Sequence, residues 1–151
     1  MILLTIITTL YFLLLIWFAM GLLLKDKSDV EGKTIWNPKV SILIAVRNEE
    51  NTIGKLLEQL RHQDYPFDKF EIIVVNDRST DSTGTIISEK CEKDDRIKYI
   101  TIDQVPNGWA PKKWALNSAV EVSSGDILLF TDGDCTVKQS WITTMISRFE
   151  D

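Results

Sequence analysis

The sequence predicts an α/β domain built on a mainly parallel sheet with helices on both faces, preceded by one transmembrane helix. Three observations predict it. Apolar runs of strand character alternate with stretches whose apolar residues recur at helical spacing, polar residues gather directly after the strands, and the first 24 residues carry no charged side chain. At 151 residues, 44% hydrophobic and 26% charged, the chain suits one ordinary domain plus an added apolar segment.

The elements follow in order. Met1 to Leu24, "MILLTIITTLYFLLLIWFAMGLLL", is predicted to span a membrane, since about 20 apolar residues at ~1.5 Å each cross a ~30 Å hydrocarbon core. A cleaved signal peptide fits less well, because the basic n-region is missing and the apolar run is too long. Lys25, Lys27 and Lys33 follow directly, and the positive-inside tendency places everything after them in the cytoplasm, on a single-pass cell-membrane protein. Residues 25–38 read as a polar juxtamembrane linker closed by Pro38. Residues 39–151 then form the domain. Strands are expected at Lys39 to Val46, Glu71 to Asn76, Arg96 to Ile102 and Asp126 to Asp132. Helices are expected over Glu49 to Gln63, Ser82 to Lys93, Lys112 to Val122 and Ser140 to Phe149.

In a parallel sheet, ligands sit beyond the carboxyl ends of the strands. There the sequence places Arg47, Asn48 and Glu49 after the first strand, Asn76, Asp77 and Arg78 after the second, and Asp132 and Asp134 after the fourth. Ile127 to Phe130 read as a buried strand that ends by delivering two carboxylates with only Gly133 between them. A divalent cation such as Mg²⁺ or Mn²⁺ needs one or two carboxylates plus phosphate oxygens, which "DGD" can supply. A solvated acidic turn is the alternative on this motif alone. No G-x-G-x-x-G follows the first strand and no Walker-type loop is present, so phosphates must be met another way. The charge of -5, without a dense basic run, argues against nucleic acid as a partner. Cys91 and Cys135 lack metal-ligand spacing and read as free thiols.

Four stretches in order, "VSILIAVRNEEN", "EIIVVNDRSTDST", "GWAPKKWALNSAV" and "DILLFTDGDC", resemble the glycosyltransferase family 2 catalytic domain with its GT-A, Rossmann-like fold. The resemblance covers about Lys39 to Asp151. It implies a nucleotide-sugar site in which Ala45, Arg47 and Glu49 lie beside the base and Asp77 accepts a hydrogen bond from a base N–H. Lys112 would neutralise phosphate or hold the aspartates, Asp132 would face the ribose or metal, and Asp134 would bind the cation directly. The family often has proline and tyrosine where this chain has Ala45 and Arg47, so a guanidinium plane would stack in place of a phenol. Asn76 stands where the family usually has the first aspartate of a pair. For Arg47 and Lys112 the alternative is a solvated surface charge, although a lysine at a helix start opposes the macrodipole and asks for an acidic neighbour or ligand.

The implied reaction is transfer of a sugar from a nucleotide diphosphate sugar, UDP-linked, to an acceptor hydroxyl on a saccharide or lipid-linked molecule, metal-dependent and with inversion. The catalytic base and the acceptor-binding part belong to the half that follows the D-x-D, so the base is expected beyond Asp151 and 39–151 is expected to be the nucleotide-binding half of a longer protein. Two rivals remain: a nucleotide-sugar-binding module without turnover, and a haloacid dehalogenase-like phosphatase using "DGDCT", with Asp132 as nucleophile. His62 reads as a helix-end residue, and Trp109, Trp114 and Trp141 as core or interfacial packing rather than an acceptor groove.

Overall fold

The computed structural model describes residues 1–23 and 36–149, with side chains left out at 3, 4 and 21–23. The chain divides into two units, Met1–Ile35 and Trp36–Asp151.

In the first unit, α1 runs Ile2–Leu23. Its described side chains, 5–20, are exposed and apolar apart from three threonines, and each threonine hydroxyl donates back to a carbonyl three or four residues earlier. That back-bonding satisfies the hydroxyls without solvent. Among the described residues no helix is long and apolar enough to cross a membrane. The spanning helix expected over Met1 to Leu24 is therefore not carried by the described residues. Leu24 and the linker up to residue 35 lie outside them.

The second unit alternates strand and helix: β1 Val40–Val46, α2 Ile53–Arg61, β2 Phe70–Asp77, α3 Thr83–Cys91, β3 Ile97–Ile102, α4 Pro111–Val122, β4 Ile127–Asp132 and α5 Trp141–Ile146. The four strands pair in the order β3-β2-β1-β4, all parallel. Alternation along each strand divides the core in two. Ile42, Ile44, Ile72 and Val74 face one side, where α2 contributes Ile53, Leu56, Leu57 and Leu60, α3 contributes Ile87 and α5 contributes Ile142 and Ile146. Leu43, Ile73 and Val75 face the other, under Ala115 and Ala119 of α4.

Two expectations change. The first helix of the domain begins at Ile53 rather than Glu49, because the Glu49 carbonyl closes a turn with the Thr52 and Ile53 amides, and the Thr52 hydroxyl donates to Glu49 Oε2 at 2.7 Å. The strand expected to be buried from Ile127 to Phe130 is fully buried only at Leu129, and Phe130 is 51% exposed. β4 pairs with β1 alone, so among the described residues it is an edge strand.

The amino ends of the strands are tied by a buried carboxylate. Glu71 Oε1 accepts from Ser41 Oγ at 2.6 Å, Ser124 N at 2.7 Å and Ser124 Oγ at 2.8 Å, while Lys98 Nζ lies 2.6 Å from Oε2. Burial alone would raise the Glu71 pKa, but hydrogen bonds from Lys98, Ser41 and Ser124 outweigh it and bring the group down to about 2 from 4.5. A depressed carboxylate contributes stability that is present above the unfolded pKa near 4.5 and is lost as pH falls through about 2. Glu71→Gln is therefore expected to cost on the order of 2–3 kcal/mol at pH 7 and almost nothing near pH 2. Urea unfolding across that range checks it, and a penalty independent of pH would contradict the charge argument.

Candidate functional site

The carboxyl ends of β1, β2 and β4 open into one cleft of about 350 Å³, lined by Ala45, Val46, Arg47, Glu49, Asp77, Pro111, Lys112, Asp132, Gly133 and Asp134. Sheet register accounts for the assembly. Ala45 pairs with Val75 on one side and with Asp132 on the other, so the residues that follow three neighbouring strands emerge together. All seven candidates, Ala45, Arg47, Glu49, Asp77, Lys112, Asp132 and Asp134, line this cleft.

Lys112 sits in the first turn of α4, just after Pro111. Its Nζ lies 2.7 Å from Asp132 Oδ1, the acidic neighbour that its position against the helix dipole asks for. The side chains are 62% and 59% exposed, so the pair contributes no more than about 1 kcal/mol and can be exchanged for another partner. Asp77 differs. Its side chain is 8% exposed, and Arg78 Nε donates to Oδ1 at 2.7 Å. Arg78 takes a left-handed φ of 55°, which costs a non-glycine residue about 1–2 kcal/mol, and its Nη2 is enclosed without a partner. Strain of this kind gathers at functional sites. The sequence had placed Arg78 after the second strand without a role, and its only advance signal was a cation beside a candidate aspartate.

The loops after β1 and β2 are stitched together. Asn48 N donates to Ser79 Oγ at 3.0 Å, Glu49 N to Thr83 Oγ1 at 2.8 Å, Thr80 N to Asn48 Oδ1 at 2.8 Å and Ser82 N to Glu50 Oε2 at 2.9 Å. Ser79 and Thr80 serve this seam, and the Asp81 carboxylate receives the Thr83 amide at the start of α3. Asn76 donates to the Tyr99 hydroxyl at 3.0 Å and accepts from Ser79 N at 3.1 Å, so its amide is engaged in shaping the turn. Gly133 has a packing reason too: a Cβ there would lie 2.6 Å from Val46 Cγ1. Trp114 packs on the α4 core and Trp141 on the opposite one. Trp109 remains 44% exposed, with its ring 5.2 Å from that of Trp114.

The cleft carries four carboxylates, Glu49, Asp77, Asp132 and Asp134, against two cations, Arg47 and Lys112, a formal excess of two negative charges. An anionic ligand would be repelled unless a cation came with it. Among the described residues no group of three or more His, Cys, Asp or Glu side chains could cage a metal unaided. The donor set does fit a hard cation shared with a ligand, because Mg²⁺ and Mn²⁺ accept one or two carboxylates and complete their shell with phosphate and water.

The family model for "Glycosyl transferase family 2" matches residues 41–151. The chain belongs to glycosyltransferase family 2. The family 2 chain is 46% identical over 99 residues to "Probable glycosyltransferase YdaM" of Bacillus subtilis, covering 66% of this chain and 23% of that protein. Among solved structures it is similar to S. aureus TarS 1-349 in complex with UDP, with a TM-score of 0.62 and 30% identity over 72% of this chain and 31% of that one. It is also similar to the mannosyltransferase PcManGT from Pyrobaculum calidifontis in complex with GDP-Man and Mn²⁺, with a TM-score of 0.61 and 30% identity over 80% of this chain and 34% of that one. This family 2 chain thus spans about a quarter of the curated relative and about a third of each solved one. Its sheet is GT-A-like, and family membership sets aside the phosphatase alternative for "DGDCT".

Proposed function

We propose that residues 36–151 form the donor-binding part of a membrane-anchored glycosyltransferase that takes a sugar from a nucleoside diphosphate sugar, UDP-linked, and passes it with inversion to an acceptor hydroxyl. The observation that carries the proposal is the single cleft in which Asp77, Lys112, Asp132 and Asp134 meet at the strand ends. In this reading Arg47 and Ala45 flank the base, with Glu49 beside them, and Asp77 accepts from a base N–H. Lys112 turns from Asp132 toward phosphate, and Asp132 addresses the ribose. Asp134, with Asp132, would hold Mg²⁺ or Mn²⁺, which when bound supplies Lewis-acid relief of charge on the leaving diphosphate. Support for a nucleotide donor with a metal comes from the solved relatives, one in complex with UDP and one with GDP-Man and Mn²⁺. Removal of the acceptor proton is assigned to no residue of this chain.

Anchoring is the second part of the proposal. The reading rests on the sequence, in which the first 24 residues carry no charged side chain and about 20 apolar residues suffice to cross a bilayer. A helix that is apolar on all sides belongs in lipid or in a core. Lysines 25, 27 and 33 put the domain on the cytoplasmic side.

One experiment reads both parts. The full chain is inserted in sealed vesicles and titrated with UDP-glucose and UDP-N-acetylglucosamine plus Mn²⁺, for the parent and for Asp77→Ala. Losing a hydrogen bond to a charged group costs about 1.5–3 kcal/mol, so Asp77→Ala is expected to weaken binding at least about tenfold. Equal affinities would remove Asp77 from the site, and a chain that washes off the vesicles at alkaline pH would refute the anchor.

A further inference from the structure

We propose that Arg78 sets which base the cleft accepts: it occupies one oxygen of Asp77 and leaves the other for a base that offers a single N–H, selecting uridine over guanosine nucleotides. The proposal rests on the assignment of Asp77 to the base. Three observations carry it beyond that assignment.

The Asp77 carboxylate is almost enclosed, at 8% exposure, and only the part of it that lines the cleft can meet a ligand. Its Oδ1 already accepts from Arg78 Nε at 2.7 Å, whereas Oδ2 takes no hydrogen bond or ion pair from any described residue. Arg78 is held there against its own preferences, with φ at 55° and Nη2 enclosed and unpartnered. The cation offsets the charge of the nearly enclosed Asp77, but the backbone conformation does not ask for arginine. Glycine would take the left-handed turn without a Cβ, and asparagine takes it at the matching place after β1, Asn48, where φ is 56°.

The chemistry of the bases turns this into selectivity. Guanine presents its ring N1–H and its exocyclic amine side by side, two donors that match both oxygens of a free carboxylate. Uracil presents one imide N–H between two carbonyls. A carboxylate with a guanidinium on one oxygen offers its free oxygen to the single donor of uracil, whereas the second donor of guanine would have to share Oδ1 with a cation, an outcome that discriminates in an enclosed site. Arg78 is thus a positioning residue: it touches Asp77 and acts on the base through it.

The test is calorimetric titration of the full chain in detergent with UDP and with GDP, Mn²⁺ present, for the parent, Arg78→Gly, Arg78→Lys and Asp77→Asn. The parent is expected to favour UDP by roughly tenfold or more. In Arg78→Gly the relief of backbone strain is set against the loss of the Asp77 ion pair, so the melting temperature is read alongside to confirm a folded protein, while the UDP-to-GDP ratio is expected to fall toward one. Arg78→Lys, which can still reach one oxygen, should recover part of the ratio. A ratio unmoved in Arg78→Gly, or equal losses for both nucleotides, overturns the proposal, as does a parent that prefers GDP. Asp77→Asn separates the layers: if UDP binding survives it unchanged, the base assignment itself fails, whereas loss of binding there with an unmoved Arg78→Gly ratio sinks only the role given to Arg78.

Discussion

Asp134→Asn is expected to abolish the Mn²⁺-dependent share of UDP binding while leaving the fold intact. The parent should bind UDP more tightly by at least about tenfold with Mn²⁺ than with a chelator, because the cleft lining carries two more negative than positive charges and the diphosphate adds more. In the variant the two titrations should coincide. Asparagine keeps the size and shape of the side chain, and it removes one of several carboxylates that repel one another, so the melting temperature should hold or rise slightly. Asp132→Asn should do less, since Lys112 already offsets part of the Asp132 charge at 2.7 Å and is released by the change. Tight UDP binding without metal, or an Asp134→Asn protein that retains its metal response, would remove the cation from the "DGD" turn.

The second large effect lies at the other end of the sheet. Gly125→Ala is expected to destabilise the domain by about 3 kcal/mol or more, the upper end of what one added methyl does in a packed interior. A Cβ at Gly125 would lie 2.4 Å from the Ser41 amide nitrogen, 2.7 Å from Ser41 Oγ and 2.8 Å from the Val40 carbonyl carbon. The amide nitrogen and the carbonyl carbon are backbone of β1 and cannot step aside, and Ser41 Oγ is held by its hydrogen bond to Glu71. Relief would require β1 and β4 to part where Gly125 N donates to Ser41 Oγ, and Ser41 in turn donates to Glu71. Chemical denaturation gives the figure, and a variant as stable as the parent would mean that the strands tolerate a wider separation.

The difference between these two residues explains what could be read in advance. Asp134 was legible because its position follows from periodicity: once Ile127–Asp132 is a parallel strand, its carboxyl end has to share an edge with those of β1 and β2. The same reasoning brought Arg47 and Asp77 to that edge and placed all four strands, whereas Lys112, at the start of a helix, came only from the resemblance to the family. Gly125 was not legible, because its constraint comes from a strand 84 residues away and leaves no pattern in its own neighbourhood. The Glu71 network, the close approach of Gly133 to Val46 and the hold of Arg78 on Asp77 were missed for related reasons: each depends on register or rotamer rather than on residue type and spacing. Phe130 misled for a different reason. An apolar run shows that a strand is present but not how far helices will cover each of its faces: Leu128 still packs against the α4 side, whereas Phe130 on the same face is left open.

The seam between the loops after β1 and β2 limits how this site can be re-engineered. Asn48, Glu49 and Glu50 on one side exchange backbone and side-chain hydrogen bonds with Ser79, Thr80, Ser82 and Thr83 on the other. A loop cut from a homologue and grafted after β2 alone would arrive without its counterpart and leave amides of the first loop unanswered. The transferable part is the pair of segments, about thirty residues apart in the chain, moved together with the left-handed residues at their bends.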